Sequence, residues 1–247
     1  MTAQLRSELY KLRSTWTVAS VVAAMLTLVM LAVLLHTLSL SASKLASGTT
    51  QRDVFTDVGV NLGSLFAGLL GALSITGEIR TGTIRPTLLV TPRRGLVIAA
   101  KAVTVLAAGF VVGVISAGAA AGVGSAGLAG RGLALQLGAG DYAQLILGGG
   151  AAAAMWALIG LGVGALVRAQ VPAIVALCAW LLFVEGLIAG DLPSVSRFFP
   201  AALGRALAGS QASGTLRAPA VAALLLALYA VLAVAVGRTA TTRRDVA

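Results

Sequence analysis

Long apolar stretches alternate with short polar connections along this chain. Six of the stretches are apolar over about 20 residues, which is the length that a helix needs to cross a hydrocarbon core of about 30 Å. They cover residues 15–38, 58–76, 96–123, 143–167, 170–188 and 218–237. The pattern predicts six transmembrane helices in a single transmembrane domain over residues 1–247, and therefore an all-α polytopic membrane protein.

A helical pattern also precedes the first span. Leu5, Leu9, Leu12 and Trp16 recur at spacings of four, three and four, which places them on one face of a helix. We expect an amphipathic interfacial helix over residues 1–14, with its apolar face toward the lipid and its cations near anionic headgroups. Such a helix is either an anchor alone or an anchor that also contacts a cytoplasmic partner.

The segment between the fifth and sixth spans, residues 189–217, is too polar to cross a membrane and too apolar for a plain loop. It contains four large apolar residues that can share one helical face, namely Phe198, Phe199, Leu203 and Leu207. Irregular backbone at membrane depth must be buried in protein or line a cavity. The segment therefore predicts either re-entrant helices in the outer leaflet or a helix that lies on the surface.

Small residues recur every four positions inside three of the predicted spans. They are Gly63, Ala67 and Gly71 in the second span, Gly109 and Gly113 in the third, and Gly160 and Gly164 in the fourth. Such rows allow two helix backbones to approach closely in lipid. The rows predict tight helix packing, either within one chain or between two copies.

Composition and charge place the chain in a membrane. Hydrophobic residues make up 58% of the sequence and charged residues 11%, with a mean hydropathy of +0.98, which is outside the usual range of soluble domains. The net charge of +10 would suit nucleic acid, but the basic residues border predicted spans and form no aromatic-interleaved patch. We therefore expect no nucleic-acid partner.

The distribution of Lys and Arg between alternate connections predicts the orientation. One side holds twelve of them: Arg6, Lys11, Arg13, Arg80, Arg85, Arg93, Arg94, Lys101, Arg168, Arg238, Arg243 and Arg244. The other side holds Lys44, Arg52, Arg131, Arg197, Arg205 and Arg217. The richer side is expected to be cytoplasmic, which predicts a multi-pass protein of the plasma (cytoplasmic) membrane with both termini, including the tail 238–247, in the cytoplasm.

The connection between the second and third spans, residues 77–95, is unusually basic, and we call it the elbow. Gly82 offers a place for the preceding helix to end, and Pro86 and Pro92 disfavour helix in the residues before them. The elbow carries four arginines, whose rigid donor forks suit carboxylates on a protein partner. It is therefore either a docking surface or a plain topology determinant that contacts anionic lipid.

The elbow resembles the one in the membrane subunits of the ABC-2 type transporter family. In that family a glutamate at the end of the second span is followed by Gly-Thr and then by a Pro-Arg pair, which here are Glu78, Gly82-Thr83 and Pro92-Arg93-Arg94, with Lys101 inside the next span. The amphipathic start SELYKLRSTW, the six spans and the segment LPSVSRFFP are also similar to that family.

The resemblance implies that the chain is the permease subunit of an ATP-driven exporter of a small or amphiphilic substrate. It implies an ABC ATPase partner, a second permease copy or similar chain, and coupling residues Glu78, Gly82, Thr83, Arg85, Pro92, Arg93 and Arg94. A Walker A loop needs Gly-Lys, and none of Lys11, Lys44 and Lys101 follows glycine. We therefore expect no cofactor and no catalytic site in this chain, with ATP and Mg²⁺ bound by the partner.

A few residues inside the spans are further candidates. Glu185, near the outer end of the fifth span, either takes part in translocation or is a water-facing interfacial carboxylate. Trp156 and Trp180 either pack the core or line a path for an apolar cargo. His36 is the only histidine and Cys178 the only cysteine, so we expect no metal site and no internal disulfide.

Two other functions remain as alternatives. An ion-coupled secondary transporter would need coupling-ion sites near the midplane, and Glu185 is peripheral and isolated for that purpose. A non-transporting scaffold or sensor subunit is the second alternative. No serine-hydrolase, metalloprotease or paired-aspartate motif indicates an intramembrane enzyme.

Overall fold

The computed structural model describes residues 2–83, 94–210 and 218–243, and every regular element in those ranges is helical. The helices are α1 (Thr2–Ser14), α2 (Trp16–Ser39), α3 (Ala42–Leu45), α4 (Gly48–Arg80), α5 (Arg94–Gly130), α6 (Ala139–Val167), α7 (Gln170–Ala179), α8 (Glu185–Asp191), α9 (Pro193–Ser196), α10 (Pro200–Leu207) and α11 (Pro219–Arg243). A π-helical turn, Trp180–Val184, joins α7 to α8.

In the described ranges, six helical segments are long and apolar enough to cross a membrane. They are α2, α4, α5, α6, the continuous stretch from α7 through α8, and α11. The all-α polytopic prediction is confirmed. Helices α4 and α5 extend furthest past the predicted spans, since α4 begins at Gly48 instead of residue 58 and α5 continues to Gly130 instead of residue 123.

Polar contacts explain why α4 begins so early. The guanidinium of Arg52 pairs with the carboxylate of Asp141 at the start of α6, and the Ser210 hydroxyl donates to Asp53 over 2.7 Å. Because these charged side chains find partners, the first two turns of α4 are helical although they are not apolar.

The core forms where α4 and α6 cross at very short range. A Cβ built on Gly160 of α6 would overlap the backbone oxygen of Gly68 in α4, and one built on Gly71 would overlap the backbone oxygen of Ala157. Helix α6 also lies close to α5, since a Cβ built on Gly109 of α5 would lie 2.6 Å from the Cβ of Ala157 in α6. The predicted glycine rows therefore pack spans of the same chain against one another.

Because consecutive spans run in opposite directions, the connections between them lie alternately at the two ends of the bundle. One end, which we call the elbow end, holds α1, the last turn of α4 and the first turns of α5. There the Arg168 guanidinium also donates to the backbone oxygen of Ala240 over 2.8 Å. At the opposite end, the Arg131 guanidinium donates to the backbone oxygen of Leu40 over 2.9 Å.

The segment between the last two spans folds back into the protein. Helix α10 packs against α4, α6 and α11, and its buried residues include Leu203, which is fully covered. Arg205 pairs with Asp57 of α4 over 3.1 Å, whereas Phe198 before α10 is exposed. Helix α10 is thus covered by protein, and its entry into the outer leaflet stays a prediction.

Candidate functional site

Charged side chains from three helices meet at the elbow end, around the first residues of the elbow. The Lys101 ammonium lies 2.6 Å from Glu8 Oε2 and 3.0 Å from Glu78 Oε1, and it also donates to the backbone oxygen of Ser74 over 3.1 Å. Lys101, Glu8 and Glu78 are each at least nine-tenths buried. Lys101 thus ties the middle of α1 and the end of α4 to the start of α5.

A second lysine completes this group, which we call the charge cluster. The Lys11 ammonium lies 2.9 Å from Glu8 Oε1 and 2.7 Å from Glu78 Oε1. Two carboxylates and two ammoniums balance one another, which is the condition under which buried charges are tolerated.

The charge cluster shifts the pKa of Glu8 and of Lys11, its two members on α1. Burial alone would raise the pKa of Glu8, but the ammoniums of Lys101 and Lys11 outweigh burial and hold the pKa below its ordinary value of 4.5. Burial alone would lower the pKa of Lys11, but the carboxylates of Glu78 and Glu8 raise it above its ordinary value of 10.5. Both groups are therefore charged at neutral pH.

The orientation of α1 differs in part from the amphipathic prediction. Leu9 and Trp16 are exposed, as expected for side chains that contact lipid, but Lys11 points into the protein instead of toward anionic headgroups. The reason is the unpredicted ion pair with Glu78, because a buried carboxylate is a stronger partner for an ammonium than a hydrated headgroup.

The elbow begins as the sequence predicts. Helix α4 ends at Arg80, the Thr81 amide donates back to the Gly77 oxygen, and Gly82 has a φ of +71°, a conformation that glycine adopts without strain. Arg85, Pro92 and Arg93 lie outside the described residues, as does the side chain of Arg94, at which α5 begins.

Not all predicted coupling residues occupy the same position. Thr83 lies at the exposed start of the elbow, whereas Glu78 lies inside the charge cluster and is 9% exposed. Glu78 joins the end of α4 to α5 through its ion pair with Lys101, and its part in coupling stays a prediction. The sequence analysis overlooked Glu8, although an acidic residue three positions before Lys11 is a signal for an ion pair on one helix face.

Glu185 occupies a separate position in the fifth span. It accepts a hydrogen bond from Trp180 Nε1 over 2.7 Å and from the Ala201 amide over 3.0 Å, and it is only 6% exposed. Glu185 is therefore not a water-facing interfacial carboxylate, which was the second of the two roles that the sequence left open for it. Its carboxylate caps the first turn of α10 from another helix.

Replacing Glu185 with leucine is expected to loosen α10, because the Trp180 and Ala201 N–H groups then lose their acceptor inside the protein. A cysteine placed at Ala206, in a chain with Cys178 changed to serine, reports this opening. We expect its rate of thiol labelling to rise about tenfold. Asp191→Leu, an exposed acid of the same span, is the matched control. Equal labelling rates in the two variants would show that Glu185 does not hold α10.

Trp156 and Trp180 line one apolar cavity of about 460 Å³ between α6, α7 and α11. Trp156 is 1% exposed and packs against Gly68 of α4, whereas Trp180 is partly exposed and lies 5.7 Å from the Phe199 ring centroid. Both residues thus pack the protein and face a space large enough for a small apolar molecule.

A second cavity, of about 370 Å³, adjoins the charge cluster between α1, α4 and the start of α7.

No protein-family model matches this chain, and no curated protein matches it either. The fold defines a multi-pass, all-helical membrane protein with a buried charge cluster at the start of the elbow.

Proposed function

We propose that this chain is the permease subunit of an ATP-driven exporter. In this proposal a separate ABC ATPase subunit binds ATP and Mg²⁺ and docks on the elbow, and the chain itself has no catalytic site. A second permease copy or a similar chain completes the transporter in the plasma membrane, with both termini in the cytoplasm. The cargo is a small or amphiphilic molecule.

The observation that carries the proposal is the charge cluster at the start of the elbow. Through Glu78 and Lys101, the end of α4 and the start of α5 are joined to each other and to α1. A force applied to the elbow would therefore reach two spans and the interfacial helix as one unit. This is what a coupling device needs, since a loosely attached loop would move without moving the spans.

The close packing of the core supports transmission beyond the elbow. Helix α4 crosses α6 with almost no side-chain atoms between the two backbones. A shift of α4 therefore displaces α6, which lines the apolar cavity that contains Trp156 and Trp180. Motion at the elbow end can thus change a cavity deep among the spans.

The arginines of the elbow are the proposed docking residues. Purification of the tagged chain from its own membranes in mild detergent is expected to recover a stoichiometric soluble protein that contains a Walker A loop. Arg85→Ala with Arg93→Ala and Arg94→Ala should reduce that recovery at least about tenfold, because arginine-to-carboxylate contacts are lost. Lys44→Ala, which removes an exposed cation at the opposite end, is the control and should keep the partner.

If the elbow variants and the intact chain recover the same amount of the ATPase, the elbow is not the docking surface. If the intact chain is purified without any ATPase, in a detergent that preserves a known complex of this kind, the ATP-driven proposal is wrong. An ion-coupled transporter would then be the function to test, starting with Glu185.

A further inference from the structure

The apolar cavity of about 460 Å³ between α6, α7 and α11 is a cleft on the side of the bundle, and we call it the side cleft. Its back wall is α6, the most buried of the three helices. Leu166 of α6 and Val236 of α11 line the side cleft and are exposed, and they lie within about one turn of the contact that joins these two helices at the elbow end. The mouth of the side cleft therefore faces the lipid-contacting surface of the protein.

The end of the side cleft that points away from the elbow is closed by α10. Pro200, the first residue of α10, lines the side cleft together with Trp180. Trp180 Nε1 and the Ala201 amide both donate to Glu185, over 2.7 and 3.0 Å, and these hydrogen bonds hold α10 against the fifth span. The described residues thus leave a mouth toward the bilayer and a closed end away from the elbow.

The lining of the side cleft favours an uncharged ligand. It contains no charged side chain and, apart from the Tyr229 hydroxyl, no hydroxyl or amide side chain. A charged group would lose its hydration there without gaining a partner, which is far more costly than the burial of an apolar group.

The lining also distinguishes rings from chains. Three aromatic side chains, those of Trp156, Trp180 and Tyr229, line the side cleft. Aromatic rings gain free energy from edge-to-face and offset-stacked contacts beyond the gain from apolar burial alone. A flexible hydrocarbon chain, such as a lipid tail, gains the burial without these ring contacts.

We propose that the side cleft binds an uncharged aromatic molecule that enters from the bilayer and packs its ring against Trp156, Trp180 and Tyr229. The inference deepens the proposed function and rests on it in one respect, since the ligand is the cargo only if the chain is a transporter. Release at the end away from the elbow would then require the hydrogen bonds of Glu185 to open. Binding itself needs neither an ATPase nor ATP.

Two brominated probes of ten carbons each test the proposal. 1-Bromonaphthalene is aromatic and 1-bromodecane is a flexible chain, and both are uncharged. Bromine quenches the fluorescence of an indole ring that it contacts. The full chain with Trp16→Phe, in phosphatidylcholine nanodiscs, reports on the side cleft through Trp156 and Trp180. A chain with Trp156→Phe and Trp180→Phe reports on the bilayer through Trp16, which is 90% exposed.

Binding in the side cleft is saturable, whereas partition of a probe into the bilayer is not. We expect 1-bromonaphthalene to reach half-saturation of the quenching of Trp156 and Trp180 at a mole fraction in the bilayer at least about threefold lower than 1-bromodecane, because of the added ring contacts. Quenching of Trp16 should rise without saturation for both probes.

A variant that fills the side cleft supplies the second measurement. Ala176 is exposed and lines the side cleft, so a larger side chain there occupies the space without entering the core. Ala176→Phe is expected to weaken the binding of 1-bromonaphthalene at least about tenfold. Ala24→Phe adds the same ring at an exposed position of α2 and should keep the binding. Thermal unfolding midpoints show that both variants are folded.

Equal half-saturation by the two probes would show that hydrocarbon chains fill the side cleft as well as rings do, and would overturn the proposal. Quenching of Trp156 and Trp180 without saturation, or binding that Ala176→Phe leaves unchanged, would overturn it as well. Because the chain is tested alone, these results are distinct from a failure of the proposed function, which the recovery of an ATPase partner measures.

Discussion

Gly160→Ala is expected to lower the free energy of unfolding by about 2–3 kcal/mol, as overpacking of a tightly packed core does. The new methyl group would meet the backbone oxygen of Gly68, which no rotamer change can move. The α4 and α6 backbones must therefore separate and lose dispersion contacts along their crossing. The midpoint of unfolding in a detergent titration measures the effect.

Gly122→Ala is the matched control for this prediction. Gly122 is also a helical glycine inside a span, but nothing lies within 4 Å of a Cβ built on it. The control is expected to stay within about 0.5 kcal/mol of the original chain. If Gly160→Ala unfolds at the same detergent fraction as Gly122→Ala, the close crossing of α4 and α6 is not a feature of the folded protein.

Lys101→Met is expected to lower the free energy of unfolding by about 3–5 kcal/mol, which is typical when one partner of a buried ion pair is removed. Glu8 and Glu78 would remain buried with Lys11 as their common cation. Helix α1 should then leave the spans, and trypsin should cleave after Lys11 faster than in the original chain. Lys44→Met at the opposite end provides the control, because Lys44 is exposed.

A double variant separates lost charge balance from lost packing. Glu8→Met with Lys101→Met removes one charge of each sign and leaves Lys11 paired with Glu78. The double variant is expected to recover part of the stability that Lys101→Met loses, because no buried carboxylate is left in excess. Destabilisation that is simply the sum of the two single changes would contradict the account of the charge cluster.

The attachment of α1 should also depend on pH, with the sign set by the two shifted groups. The pKa of Glu8 is lowered, so its contribution to stability is present above the ordinary value of 4.5 and is lost as pH falls through the lower pKa of the folded protein. The pKa of Lys11 is raised, so its contribution is present below the ordinary value of 10.5 and is lost as pH rises through the raised pKa. Attachment is therefore firm throughout the neutral range.

The sequence predicted the spans because membrane crossing needs only length and apolar composition. It underestimated α4 for the same reason, since Asp53 and Asp57 interrupt the apolar pattern. Their partners, Ser210 and Arg205, lie more than one hundred positions away in the chain. A pairing at that separation follows from the fold and leaves no periodic signal in the sequence.

In the candidate site, too, local features could be predicted from the sequence and long-range contacts could not. The role of Gly82 was predictable because the end of a helix is a local event that glycine favours. The burial of Glu78 was not, because its partners Lys11 and Lys101 come from two other helices. The ABC-2 type resemblance, which covers Arg85, Pro92 and Arg93, stays a prediction.

The measurement that tests the central proposal most directly is site-specific cross-linking in native membranes. A photoreactive thiol reagent is placed at Thr83→Cys, at the start of the elbow, and at Lys44→Cys, at the opposite end, with Cys178 changed to serine in both. The proposal predicts that Thr83→Cys captures a protein with a Walker A loop and that Lys44→Cys does not. Capture of no such protein at Thr83→Cys, or equal capture at both positions, would contradict it.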